Sequence, residues 1–510
     1  MTFIEVHWTA QAAFPLLGAL QLLPLAAMAL MLLPGLGRGV FAAAVIAALL
    51  ELLLAIHVYL SFNPHSGAMQ FAERLDLLGP FGYHAAADGI TVLFVLLNAL
   101  LTLLVVLYSK ARDLDLLPRL LALVFAVEAA LMSLLVTVNL LWFVLVSALQ
   151  LLPVGYLIWR WAGSPEKDLA LTRFYQFMGI GLLLLLAGTL MLGWNYADAT
   201  GRGWSFDLFE LAPVKVSTQI SSVVFFLLFY GLAIRVPLFP MHGWLPMIAE
   251  HGSIAVAPIF LLGLKTGIYG LLRFVFPLLP EAVLQWHQYV VTFASVGIFY
   301  AALLAVLQVN LRRLLAFAVV SHTGLLVIGL FSLGDLAFQG TIMLAVNFGL
   351  AITGLVFMIG LVYRRTRTML ISRLGGLFDT LPLLGIAFLV SGLAIAGMPG
   401  TPGFDAVHLV LEDSMHRFGA LVTIAAALGN VVAAGFLLLA FQRAFLSPLP
   451  ETRKAREVER ASALEKLVAM LVIFALLGIG FYFEPWLALV ETSTQVLSAP
   501  FSALLAPTGQ

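Results

Sequence analysis

Fourteen stretches of roughly twenty mostly apolar residues run through this chain, and each is long enough to cross the hydrocarbon of a bilayer as a helix. They lie near 11–33, 40–60, 88–108, 118–137, 139–159, 174–193, 218–239, 253–275, 287–307, 314–333, 337–362, 381–399, 419–441 and 466–483. The twelfth is interrupted by Met398-Pro399-Gly400-Thr401-Pro402-Gly403 and followed by a second apolar piece, 404–411. Such a chain needs little charge, and it has little: 10% of its 510 residues are charged, against about 25% in soluble domains. A soluble enzyme, a nucleic-acid binder and a disordered chain are excluded. Net charge is zero and cysteine is absent, so there is no basic face for phosphates, no disulfide and no thiolate metal or iron–sulfur site. The first stretch lacks the basic start and small-residue cleavage site of a signal peptide and reads as a helix.

The charges outside the stretches orient the chain. Loops following odd-numbered spans carry nineteen Lys and Arg, and the opposite loops carry five. The positive-inside rule then places both termini on the outer side of the membrane, in a bacterium the inner membrane. The loops are too short for a folded domain, and neither GxGxxG nor GxxxxGK[ST] occurs. No cofactor, nucleotide or metal site is expected, and no catalytic centre.

Two places violate helical chemistry inside apolar sequence: Arg235-Val236-Pro237-Leu238-Phe239-Pro240 in span 7, and Met398–Gly403 in span 12. Proline removes a backbone donor and frees a carbonyl, which lipid does not satisfy. The breaks are five spans apart, so spans 4–8 and 9–13 read as inverted five-helix repeats with broken helices at a transport path. The competing reading is a pair of packing kinks. The expected fold is all-α and polytopic, a single transmembrane domain over 1–510. It divides into N-terminal helices 1–3 (1–115), repeat one (116–280), repeat two (281–445), and a loop with C-terminal helix 14 (446–510).

Charges within spans carry the functional signal. Lys265, mid-span in Gly263-Leu264-Lys265-Thr266-Gly267, is either a proton carrier or a permanent ion pair. Arg235 stays protonated and serves as fixed counter-charge or gate, beside Pro237 and Pro240. His322 is a relay candidate or a hydrogen-bonded core residue. Glu128 in span 4 belongs to a proton path or to a structural pair. Glu51 in span 2 reads as a boundary residue. Asp405 and His408, three apart on one helical face, are placed to hydrogen-bond.

The run Arg235-Val-Pro-Leu-Phe-Pro-Met-His-Gly-Trp-Leu-Pro246, with Lys265-Thr-Gly-Ile-Tyr-Gly-Leu-Leu-Arg-Phe274, resembles the antiporter-like membrane subunits of respiratory complex I and of Mrp cation/proton antiporters. Asp88-Gly-Ile-Thr91, Leu311–His322 and Leu374-Gly-Gly-Leu377 extend the likeness almost end to end. Its length, without a long C-terminal amphipathic helix, is most similar to the chain M (chain 4) type of NADH–quinone oxidoreductase. The resemblance implies a hydrated line of titratable groups at mid-membrane. A span-5 glutamate pairs with a span-7 lysine, and a span-8 lysine and histidines pass protons to a span-12 acid or lysine. Mapped here, Lys265 and His322 match. Arg235 replaces the span-7 lysine, Ala148 stands where the span-5 acid is expected with Ser147 and Gln150 nearby, Phe348 stands for a span-11 histidine, and Val407 for the span-12 acid.

The leading expectation is a proton-translocating subunit of a complex I-like assembly, with a Lys/His/acid relay, no redox centre, and other membrane subunits as partners. The family also implies two alternatives. One is the membrane subunit of a DAB-type inorganic-carbon accumulation complex, driven by an ion gradient and paired with a soluble zinc protein that hydrates CO2. The other is a non-conducting structural paralogue.

Overall fold

A computed structural model describes residues 3–34, 37–78, 81–253, 265–448 and 458–505. Its helices, numbered in chain order, are α1 Leu16–Leu32, α2 Val40–Ser61, α3 Gly89–Ala111, α4 Leu117–Val136, α5 Leu140–Trp161, α6 Lys167–Thr200, α7 Thr218–Arg235 and α8 Trp244–His251. Then follow α9 Lys265–Gly270, α10 Pro280–Val306, α11 Leu311–Ser332, α12 Asp335–Thr366, α13 Pro382–Ile395, α14 Pro402–Phe418, α15 Ala420–Phe441, α16 Ala463–Phe481 and α17 Glu484–Leu505. Among the described residues, eleven helices are long and apolar enough to cross a membrane, and α1 and α13 are shorter apolar helices. The expected span 253–275 falls largely on residues outside the description and is seen from Lys265 onward.

Side-chain caps set many helix starts. Asp88 accepts from Thr91 N at 2.9 Å, Asn139 from Trp142 N at 3.0 Å and Asn310 from Arg312 N at 3.0 Å. Ser462 and Glu465 form a capping box at α16. Helix α11 is buried along its length apart from Arg312 and Arg313 at its start, and α3 and α12 nearly so, whereas α2 and α16 keep much of one face outside. These three central helices carry apolar side chains all round, which suits the middle of a bundle rather than its rim.

Two expectations need correction. The fold is not purely helical: β1 Glu5–His7, β2 Met69–Leu78 and β3 Phe81–Ala87 form a sheet in the order β1-β2-β3, parallel then antiparallel. So small a sheet is unstable alone, and helix ends hold it. Glu73 accepts from Leu17 N and Gly18 N at the start of α1, at 2.7 and 2.8 Å. Val138 N donates to His84 O at 3.0 Å. His84 sits between carboxylates, with Nδ1 2.5 Å from Asp207 Oδ2 and Nε2 2.9 Å from Glu5 Oε2. Second, one more helix, α17, follows α16. It buries Leu489, Val490, Thr494, Leu497, Ser498 and Phe501 at helical spacing, so it is amphipathic and hydropathy alone passes over it. It supplies a C-terminal amphipathic helix of 22 residues where none of great length was expected.

Alternate loops gather at opposite ends. The sheet, Asp88, Asp207, Arg273 and α17 share one end, joined by Gly89 N to Ser493 Oγ at 3.0 Å and Arg273 to Asp88 at 2.6 Å. At the other end Arg364 donates to Ala111 O, Arg365 pairs with Glu465 and Arg313 pairs with Glu250.

Candidate functional site

Both interruptions are real breaks. Helix α7 stops at Arg235 because neither Pro237 nor Pro240 can donate, and the chain resumes as α8 at Trp244. The freed carbonyl of Ile234 accepts from Trp244 Nε1 at 3.0 Å. Helix α13 stops at Ile395; Gly397 and Gly400 take φ of +68° and +84°, a backbone region that glycine enters freely. Pro402 then opens α14. Here three successive carbonyls find side-chain donors from three other helices: Ala394 O from Asn347 Nδ2 at 2.9 Å, Ala396 O from Asn430 Nδ2 at 2.8 Å, and Ile395 O faces His322 Nε2 at 3.2 Å.

His322 lies mid-way along α11 and is 3% exposed. Its other nitrogen, Nδ1, is 2.9 Å from Ala318 O. A neutral imidazole has one N–H and an imidazolium two. With a carbonyl at each nitrogen, only the protonated ring donates to both. Phe348, at the position where the resemblance implies a histidine, stands edge-on to this ring at 4.7 Å and contributes no proton site.

Lys265 opens α9. It shares a cavity of about 50 Å³ with His322, Thr323, Val236, Phe348 and Gly349, room enough for more than one water. A Cβ on Gly349 would run into Lys265 Cε and Nζ, so the bare glycine is what lets the lysine lie along α12. On its other side Lys265 interacts electrostatically with Glu128. Glu128, mid-way along α4 and fully buried, receives hydrogen bonds on Oε2 from Asn98 Nδ2 at 2.9 Å and from Thr102 Oγ1. Glu51 lies mid-way along α2, is 1% exposed and interacts electrostatically with Glu128. The boundary reading of Glu51 is therefore wrong. A period count within the run 40–60 centres it, and this signal was available.

Arg235 has no acidic partner among the described residues. Its Nη2 donates to Ser147 O at 2.8 Å, and its Nη1 reaches Gln150 Oε1 at 3.4 Å and Thr266 Oγ1 at 3.5 Å. The neighbours of Ala148 thus supply neutral acceptors where the resemblance places a carboxylate. Glu128 does not stand in, since its hydrogen bonds go to α3. Asp405 and His408 are not brought to the line. Helix α14 buries Pro402, Gly403, Ala406, Val407, Val410 and Ser414, leaving Asp405 half-buried and His408 exposed beside Phe404.

One further group links two of the motif segments. Arg273 donates to Asp88 Oδ1 at 2.6 Å, to Thr91 Oγ1 at 2.8 Å and to Tyr269 OH at 3.1 Å. It ties the helical turns after Lys265 to the cap of α3.

Interrupted helices and an ionisable line inside an apolar helical bundle define a polytopic membrane protein with a polar interior. The family described as NADH:quinone oxidoreductase/Mrp antiporter, transmembrane, matches residues 137–437, and the chain belongs to that family. It is 30% identical over 505 residues to NAD(P)H-quinone oxidoreductase chain 4 1 of Synechococcus elongatus, covering 95% of this chain and 92% of the relative. It is 28% identical over 453 residues to NADH-quinone oxidoreductase subunit M of Escherichia coli, covering 86% and 88%. Among solved structures, a chain of respiratory complex I from Thermus thermophilus matches with TM-score 0.84 and 28% identity over 94% of this chain and 99% of that one. A chain of the Mrp complex from Dietzia shares the fold, with TM-score 0.83 and 21% identity over 97% and 100%.

Proposed function

We propose that this chain is a proton-translocating membrane subunit of a complex I-like assembly, without a redox centre of its own. The observation that carries the reading is the shared cavity of Lys265 and His322. A lysine and a histidine lining one cavity with room for water form a relay whose two members can each hold a proton. Glu128 sits on the near side of Lys265. On the far side His322 touches the break that opens α14. Arg235, with Pro237 and Pro240, is a fixed counter-charge at the first break. The five-helix repeats of spans 4–8 and 9–13 place these breaks symmetrically about the path. Relatives that sit in multi-subunit membrane complexes support membrane subunits as partners.

In a bacterial inner membrane the basic end of the bundle faces the cytoplasm and both termini lie outside. The chain has no cysteine, so single cysteines placed at His65 and Arg160 report each side cleanly to an impermeant label. The function is tested by Lys265→Ala in proteoliposomes under an imposed pH gradient. Flux is expected to fall to the level of protein-free liposomes, and equal flux in variant and wild type removes the reading.

One observation favours a second role. Arg235 donates to the Ser147 carbonyl where the resemblance implies a glutamate–lysine pair. That departure suits a paralogue serving ion-driven inorganic-carbon accumulation with a soluble zinc partner. Purification from the native membrane distinguishes the two readings by whether redox subunits or a zinc protein accompany the chain.

A further inference from the structure

The stripe that α2 turns inward consists of Val40, Ala44, Ala47, Ala48, Glu51, Ala55 and Val58. Six of its seven members are apolar, and Glu51 is the exception. Both of its carboxylate oxygens are buried and have no hydrogen-bond partner among the described residues. A side chain kept for structure would be paired, because an unsatisfied buried carboxyl costs stability. Glu128 repeats the pattern by half. Its Oε2 is held by Asn98 and Thr102, while its Oε1 is buried without a partner. The two carboxyls interact with each other, and Glu128 in turn with Lys265. Three ionisable groups from α2, α4 and α9 therefore follow one another, two of them mid-way along their helices.

We propose that Glu51 and Glu128 form an acid pair that loads protons onto Lys265 from the α2 side of the bundle. The inference rests on the proton-translocation reading above. Two carboxylates that feel each other's charge in an apolar interior do not both ionise at low cost, and a proton on one of them relieves the repulsion. In the loading step the Glu128 O–H bond breaks and an N–H bond forms on the neutral Lys265 amine, the proton crossing through intervening water because no hydrogen bond joins the two side chains. This leaves a carboxylate held by Asn98 and Thr102 beside an ammonium. The Glu51 carboxyl then gives its proton to Glu128, and Glu51 takes the next one from water at the α1–α2 face. The unpartnered oxygens are the ones this hand-over needs, since a carboxylate takes up a proton on a lone pair that no fixed donor already occupies.

The test uses the full-length chain in proteoliposomes, with proton flux read by an entrapped pH dye. Glu51→Gln is expected to lower flux by about tenfold, Glu128→Gln by at least as much, and Glu51→Asp to retain most of it. Wild-type flux in Glu51→Gln, with Lys265→Ala inactive, overturns the acid pair and leaves the translocation reading standing. Wild-type flux in Lys265→Ala overturns that reading itself. Should Glu51→Gln fail to fold, infrared difference spectra of the wild type after a pH jump decide. A protonated-carboxyl band that responds, and that Glu128→Gln alters, supports the pair; no carboxyl response overturns it.

Discussion

At the α7–α8 interruption one indole N–H covers the freed Ile234 carbonyl, whereas at the α13–α14 interruption Asn347, His322 and Asn430 attend Ala394, Ile395 and Ala396. The first arrangement cannot change with proton occupancy. Tryptophan does not titrate, and the nearby Arg235 keeps its charge. The second can change, because one of its three side chains is an imidazole with a carbonyl at each nitrogen. The same backbone demand is met once by a fixed donor and once by a group whose donor count depends on its charge. The second break is the one built to feel the proton.

The comparison is most exposed to His322→Ala. It is expected to lower proton flux by about a hundredfold, whereas Trp244→Phe should leave most of the flux intact. Equal losses in the two variants would erase the distinction between the breaks. Stability should show the reverse symmetry. Trp244→Phe and Asn347→Leu each leave one buried carbonyl unpaired at a cost of about 1–3 kcal/mol, read as comparable drops in thermal midpoint in detergent. A smaller effect is expected of Gly349→Ala. Its new methyl pushes the flexible end of Lys265 out of place and should reduce flux several-fold without a large loss of stability.

The smallest effect lies outside the membrane, where the sheet meets α1. Burial pushes the Glu73 carboxyl up to about 7, against hydrogen bonds from Leu17 and Gly18 that pull it down. A carboxyl raised in the folded state favours the neutral form. Its contribution to stability is therefore greatest below the ordinary value of 4.5, declines as pH rises from 4.5 to 7, and is flat above. Glu73→Gln should flatten the midpoint-against-pH curve in that window. An unchanged slope would mean that other groups set it.

Much of this is legible in the sequence. Apolar length located the bundle helices, the Pro and Gly runs located both breaks, and isolated charge located Arg235, Lys265, His322 and Glu128. What escaped did so for physical reasons. Trp244, Asn347 and Asn430 are uncharged, and their value lies in pointing at carbonyls far away in sequence. Glu51 escapes because a lone acid in an apolar run reads as an edge residue even at the centre of 40–60, and α17 because an amphipathic helix has no long apolar run. Asp405 and His408 share a helical face as the spacing implies. Spacing does not say which way the face turns, and α14 turns it outward.

Helix α17 has one more consequence, for biosynthesis. Gly89 N donates to Ser493 Oγ across a sequence separation of 404 residues. Thr492 Oγ1 donates to Pro64 O across 428, and a Cβ at Gly89 would collide with the Leu489 carbonyl. The early helices thus wait, at the end that carries the sheet, for α17 to be made about four hundred residues later. The bundle is threaded into the membrane open on that side and is fastened when α17 arrives.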